Sequence, residues 1–230
     1  MILFINRCHR FFLRLALYPV ALSTLLACGI FGGRVILSGR WTFYFLVWNL
    51  FLAWIPFLLS LAATLIYQHR PQRWWILLGL GSVWLVFFPN APYILTDLLH
   101  LQSIPPMPIW YDVGLLAAFA WAGLFLAVYS LYAMQSLVKT YAGFWVSWLF
   151  VFGVVGLSGL GVYVGRFLRW NSWDLLLHPQ AVLVDIVFCL RHPLHNLGAV
   201  GVTLLFALFL LVSYVAMTTA NPLQRQSDSP

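Results

Sequence analysis

Long apolar runs alternate with short polar stretches along almost the whole chain. About 20 apolar residues in a helix cross the hydrocarbon core of a bilayer, and most of these runs come near that length. The pattern therefore predicts an all-α fold, a polytopic bundle of about six transmembrane helices. The predicted spans cover about 15–33, 41–67, 74–88, 110–136, 144–164 and 196–218.

Two further segments do not fit a simple crossing helix. The third span ends at Pro89, and 88–101 predicts a short polar helix that begins at membrane depth, where irregular backbone needs protein or a wet cavity around it. The stretch 179–190 is too short to span and is predicted to be interfacial or re-entrant. Pro56 predicts a kink in the second span, and the glycines of the fifth span predict close helix packing.

The ends of the chain are polar, and we expect one membrane domain over 1–230. Residues 1–14 form a basic N-terminus and residues 219–230 a polar tail. The first apolar run has an alternative interpretation as a signal peptide, because Leu25-Leu26-Ala27-Cys28 resembles a lipoprotein cleavage box. We favour a first transmembrane helix with its N-terminus in the cytoplasm.

Composition supports the membrane class. Hydrophobic residues make up 63% of the chain and charged residues 7%, against about 25% charged in soluble domains. The net charge of +7 does not indicate nucleic-acid binding, because the basic residues flank apolar runs and can meet lipid headgroups. The expected partners are membrane lipids. The three cysteines support neither a disulfide framework nor a zinc site.

Basic residues also predict the orientation. Six spans with the arginine-rich start inside place both termini in the cytoplasm of a bacterial cell membrane. Two crossings separate the end of the third span from the end of the fifth, so the polar segments that follow them share one face, predicted to be the outer one. That face carries Arg34, Arg40, Arg166, Arg169 and Arg191.

The first polar segment follows the third span. Asn90, Tyr93, Asp97 and His100 are spaced by three, four and three residues, which places them on one face of a helix. Asn90 is a favourable N-cap, and Pro92 is tolerated in a first turn.

The second polar segment, 165–174, follows the fifth span. Its arginines, Arg166 and Arg169, are predicted to clamp a phosphate or carboxylate, or alternatively to snorkel at a helix end. The stretch 171–174 is interpreted as a capping turn. We expect at least one arginine to contact Asp97, Asp112 or Asp174 within about 4 Å, since an unpaired charge near hydrocarbon is costly.

Together these segments supply the candidate functional residues. Asp97, His100 and Asp112 are candidates for acid–base catalysis, and Asp97, His100 and His178 are weak candidates for a metal site. The alternative is a purely structural role, in which these groups cap helices or hydrogen-bond to loops. The sequence identifies no cofactor. The candidate ligand-binding residues are Asn90, Tyr93, Arg166, Arg169, Asn171 and Asp174.

Both segments also carry a family resemblance. The run Phe-Pro-Asn-Ala-Pro-Tyr at 88–93, with Thr-Asp-Leu at 96–98 and His-Leu at 100–101, resembles the signature of a bacterial integral-membrane family known as domain of unknown function 1361. The run 165–174 is similar to that family's second marked stretch. The resemblance implies a multi-pass membrane protein and no established activity.

Three functions remain open on the sequence. The protein could bind or process an anionic or lipid-linked ligand, transport a small molecule or ion around the broken third helix, or serve as a scaffold or assembly factor. A one-sided polar pocket would favour the first, a cavity with access to both sides the second, and polar groups that satisfy one another the third.

Overall fold

A computed structural model describes residues 17–101, 106–191 and 196–219. The basic N-terminus predicted at 1–14 lies outside the described residues, as does all but the first residue of the predicted tail. The described elements are α1 (Leu17–Ser38), α2 (Tyr44–His69), α3 (Trp74–Phe87), α4 (Asn90–Tyr93), a 3₁₀ helix (Ile94–His100), α5 (Ile109–Phe167), α6 (Asp174–Leu177), α7 (Pro179–Arg191) and α8 (Leu197–Thr219).

Helix α5 extends over 59 residues, but its backbone departs from helical geometry at Gly143 (φ 84°, ψ 178°). Residues on either side of this break contact the same short segment. A Cβ placed on Gly123 would lie 2.7 Å from the Ala91 carbonyl oxygen, and one on Gly161 would lie 2.7 Å from Pro89. The two arms, 109–142 and 144–167, therefore fold back side by side.

This hairpin accounts for the number of spans. Among the described residues five helices are long and apolar enough to cross a membrane, where α3, α4 and the 3₁₀ helix count as one, Trp74–His100. Helix α5 is another of the five. Because α5 folds back at Gly143, the five helices make six passes, which confirms the predicted all-α bundle. Helix α7 has 13 residues and is too short to span, as predicted.

The turn between the fourth and fifth spans is tighter than predicted. The predicted spans leave a loop between residues 136 and 144, but the helix continues through Lys139 to the break at Gly143. Glycine has no Cβ and reaches positive φ without steric cost, so Gly143 alone can reverse the chain here.

The first loop begins later than predicted, because Arg34 lies within α1. This arginine was expected to lie outside the first span, yet α1 continues to Ser38 and Arg34 is 1% exposed. Its Nε lies 2.6 Å from Asp112 Oδ1, and its Nη2 donates to Asp112 Oδ2 at 3.2 Å. The guanidinium also lies 4.8 Å from the ring centroid of Phe43. The arginine therefore joins α1 to the start of α5.

Polar contacts inside the bundle fix the spans around α5. Pro56 lies within α2, and its carbonyl accepts a hydrogen bond from Ser130 Oγ. The same hydroxyl accepts from Trp84 Nε1 at 2.7 Å, which brings α3 to the same point. Near the Gly143 turn, Tyr214 donates to Gln135, so α8 is also bonded to α5.

The glycines of the fifth span act partly as predicted. A Cβ on Gly159 would overlap the Thr203 carbonyl of α8, and one on Gly165 would lie 3.3 Å from the Tyr93 ring. These positions admit close backbone approach. Gly153 and Gly156 have no such neighbour within 4 Å.

Candidate functional site

The break between α3 and the 3₁₀ helix is closed by the side chain of Asn90. It was predicted to cap the short helix, but Pro89 precedes that helix and Asn90 is its first residue, so the prediction is wrong. The Asn90 amide instead donates to the Phe87 carbonyl at 2.9 Å and to Ser172 Oγ at 2.8 Å. One side chain thus joins the two polar segments.

Asp97 is the most buried polar group of the first segment, at 1% exposure. Its Oδ2 accepts a hydrogen bond from Asn49 Nδ2 at 2.8 Å. Its Oδ1 accepts none from the described residues and lies 3.9 Å from both Arg166 Nη1 and His100 Nδ1. The expected contact between an arginine and a carboxylate is therefore present, at the outer limit of an ion pair.

His100 lies on the same side as Asp97 and faces the same arginine. Arg166 Nη2 is 3.3 Å from each ring nitrogen of His100. The His100 ring also packs on Phe45 of α2, with centroids 4.8 Å apart. The side chain of Arg166 keeps 18% of its surface exposed, so part of this cation remains accessible.

A polar cavity of about 110 Å³ adjoins this charged cluster. It lies between α2, α4, the second arm of α5 and the loop 170–172. Asn49 lines the cavity and also bonds to Asp97, so it connects the two parts of the site. Hydrogen-bonding groups and aromatic rings make up most of the lining: Trp48, Asn49, Asn90, Tyr93, Trp170, Asn171 and Ser172.

Asp112 and Arg169 do not join the other candidates. Asp112 is paired with Arg34, so it does not complete a site with Asp97 and His100. Arg169 is exposed, with a positive φ of 62°, and no described carboxylate lies within ion-pair distance of it.

Asp174 and His178 have local roles. Asp174 Oδ2 accepts from the Asn171 backbone amide at 2.7 Å and closes a turn. The N-cap of α6 is Trp173, which makes no side-chain cap bond, so the predicted capping role of 171–174 is not seen. The backbone amide of His178 donates to the Asp174 carbonyl. Within the described ranges no three His, Cys, Asp or Glu side chains are grouped as metal ligands, so Asp97 and His100 gain no third ligand there.

Sequence reasoning missed two side chains of this site, Asn49 and Ser172. Asn49 is a single amide within an apolar span, and polar groups in such positions commonly face the bundle interior, so it could have been found. Ser172 lies in the stretch predicted to form a capping turn, and nothing in its local pattern indicates a bond to Asn90, 82 positions earlier.

The site lies inside a recognised family region. Residues 48–213 match the family described as "Protein of unknown function (DUF1361)". The chain belongs to this family. The DUF1361 region includes both polar segments and the cavity, while α1 precedes it. Comparisons with curated proteins and with solved structures gave no match.

Proposed function

We propose that this DUF1361 protein is a membrane-embedded binding protein for a lipid-linked or anionic ligand, held at the polar end of the bundle. The observation that carries the proposal is the meeting of two distant polar segments around a polar cavity, which Asn49 connects to the cluster of Asp97, His100 and Arg166. Polar and ionisable groups are costly in a membrane and mark functional sites more often than surface groups do.

The chemistry of the site separates into two parts. Amides and hydroxyls line the cavity, and they suit a neutral polar group that both donates and accepts hydrogen bonds. Arg166 follows Gly165, which lines the cavity, and its guanidinium contacts His100 at 3.3 Å and Asp97 at 3.9 Å. An arginine in this setting can bind a phosphate or carboxylate with two parallel hydrogen bonds.

The size and position of the cavity favour a headgroup attached to lipid. A cavity of about 110 Å³ holds a headgroup fragment and not a whole lipid. Trp48 lines the cavity and is 52% exposed on the outside of α2. A ligand tail can therefore continue past Trp48 into the bilayer.

We further propose that the protein lies in a bacterial cell membrane with both termini in the cytoplasm and the polar end facing outward. The arginine-rich start supports this orientation. Its partners are then membrane lipids and the proposed ligand, and not nucleic acid.

A scaffold is the second candidate, because several polar groups satisfy one another. Asn90 bonds to Ser172, Asn49 to Asp97 and Asp174 to Asn171. In a scaffold these bonds only lock the fold, and the cavity takes up no ligand.

Site-specific photo-crosslinking distinguishes the two candidates without knowledge of the ligand. A benzophenone amino acid replaces Trp48 at the cavity mouth, and in a matched chain it replaces Leu204, which is 55% exposed on α8. After irradiation of intact membranes, mass spectrometry identifies the captured molecules. We expect position 48 to capture a phosphate- or carboxylate-bearing molecule that is enriched over the bulk lipid seen at position 204.

The second part of the experiment adds Arg166→Gln to the protein that carries the benzophenone amino acid at position 48. This substitution removes the proposed anion contact, so we expect the enriched adduct to fall at least tenfold. If position 48 captures the same lipid mixture as position 204, with or without Arg166, the binding proposal is wrong and the scaffold is favoured.

A further inference from the structure

We infer a second lipid site at the opposite end of the bundle, a groove that holds one acyl chain of an anionic phospholipid whose headgroup meets the loop 70–73. The groove has a volume of about 570 Å³ and an almost wholly apolar lining. It lies between α3 and the two arms of α5, and it is separate from the polar cavity, which lies at the other ends of α2 and α3.

The groove exists because α3 packs along α2 and stands away from α5. Of the fully described α3 side chains, Trp84 alone is buried, and it forms the floor of the groove. Its indole is held there by the bond to Ser130 and by stacking on Phe150. Gly81 keeps the groove open, since it presents no side chain towards Met134.

The length of the groove matches one leaflet. Its α3 lining runs from Trp74 to Leu85, which is about 17 Å at 1.5 Å per residue. The hydrocarbon core of a bilayer is about 30 Å thick, so the groove extends from one interface to about the midplane. An apolar channel of this depth, open to the bilayer, is filled by a lipid chain.

The mouth of the groove carries positive charge. Trp74 and Tyr141 line this end, and the Tyr141 hydroxyl donates to the Pro71 carbonyl at 2.7 Å. That bond holds the loop containing Arg70 and Arg73 next to the groove, and both arginines are exposed. Basic residues at the interface attract anionic lipid headgroups, each contributing about fivefold in binding.

Lipid titration of the delipidated full-length protein in detergent tests the chain site. The probes are phosphatidylglycerol and phosphatidylcholine with identical chains, and native mass spectrometry counts the bound lipids. Gly81→Leu places a side chain in the groove, and Gly79→Leu makes the same change two residues away, where no atom lies within 4 Å. We expect Gly81→Leu to weaken phosphatidylglycerol binding at least tenfold and Gly79→Leu to leave it unchanged.

The headgroup is tested with an exposed arginine, so the result does not depend on how well Gly81→Leu folds. Arg73→Gln should reduce the preference for phosphatidylglycerol over phosphatidylcholine about fivefold. Arg191→Gln, which removes an exposed charge at the polar end, should not. Equal binding of the two lipids by the wild type, or equal effects of the two arginine changes, would overturn the inference. Neither result bears on the Trp48 adduct, which tests the other end of the protein.

Discussion

Asp112 is fully buried, and its carboxylate is held by the Nε and Nη2 groups of Arg34. Removal of one member of a buried ion pair leaves an uncompensated charge, whereas removal of both leaves none. Arg34 precedes the family region and Asp112 lies within it. The pair therefore joins α1 to the family region, beside the hydrogen bond from the Tyr111 hydroxyl to the Ile30 carbonyl and the ring contact between Phe31 and Phe119.

We expect Arg34→Met to destabilise the protein by roughly 3–5 kcal/mol, as does loss of one partner from other buried pairs. Arg34→Met combined with Asp112→Leu should recover most of that loss. Reversible unfolding in mixed micelles measures both free energies. Equal stability of the single variant and the wild type would contradict a structural role for the pair.

The Asp97 carboxylate is less closely paired than that of Asp112. Asn49 donates to one of its oxygens, and Arg166 lies 3.9 Å from the other. Asp97→Asn keeps the size of the side chain and removes the charge opposite Arg166. We expect a loss of roughly 1–3 kcal/mol in unfolding free energy. Asp228→Asn, in the polar tail of the sequence, is the control, and a shift in melting temperature as large as that of Asp97→Asn would refute this interpretation.

At the scale of elements, the spans were largely predictable and their ends were not. Long apolar runs require helices in a membrane, because the backbone must satisfy its own hydrogen bonds there. The position of Arg34 inside α1 depends on Asp112, which is 78 positions later, and no local pattern shows that partner. In the same way, the local sequence around Asn90 predicts an N-cap, because no local pattern indicates its distant partner Ser172.

The contact between α5 and α8 gives a direct test of helix packing. Gly159→Ala places a Cβ against the Thr203 backbone, which cannot easily move, and we expect destabilisation by about 1–3 kcal/mol. Gly153→Ala is the matched control, since it has open space around it and alanine favours a helix over glycine. Melting temperatures of the two variants in the same detergent test this prediction. We expect a lower value for Gly159→Ala, and equal values would argue against close contact at Gly159.

At the scale of the whole molecule, the turn at Gly143 determines the topology. Six passes in the described part of the chain place the start of α1 and the end of α8 on one side of the membrane. A topology reporter fused after Pro230 should be active in the cytoplasm, like one fused at the N-terminus. Activity of the C-terminal fusion only outside the cytoplasm would contradict this topology. If the N-terminal fusion were then still active inside, the number of passes would be odd and α7 would be the candidate extra pass.

The same topology brings the two polar segments together, and that part of the site was predictable from crossing number alone. The residues that line the site were not predictable, since Asn49 and Ser172 join it through contacts between separate elements. The predicted arginine pair separates in the structure, because Arg166 contacts Asp97 whereas Arg169 is exposed in the turn after α5.

An experimental structure of the wild-type protein in nanodiscs made from its native membrane tests ligand binding at the polar end most directly. We expect density for a bound group in the cavity between Asn49, Asn90 and Ser172, with a charged part in contact with Arg166. Water alone in that cavity, with Arg166 bonded directly to Asp97, would contradict the binding proposal and leave a purely structural role.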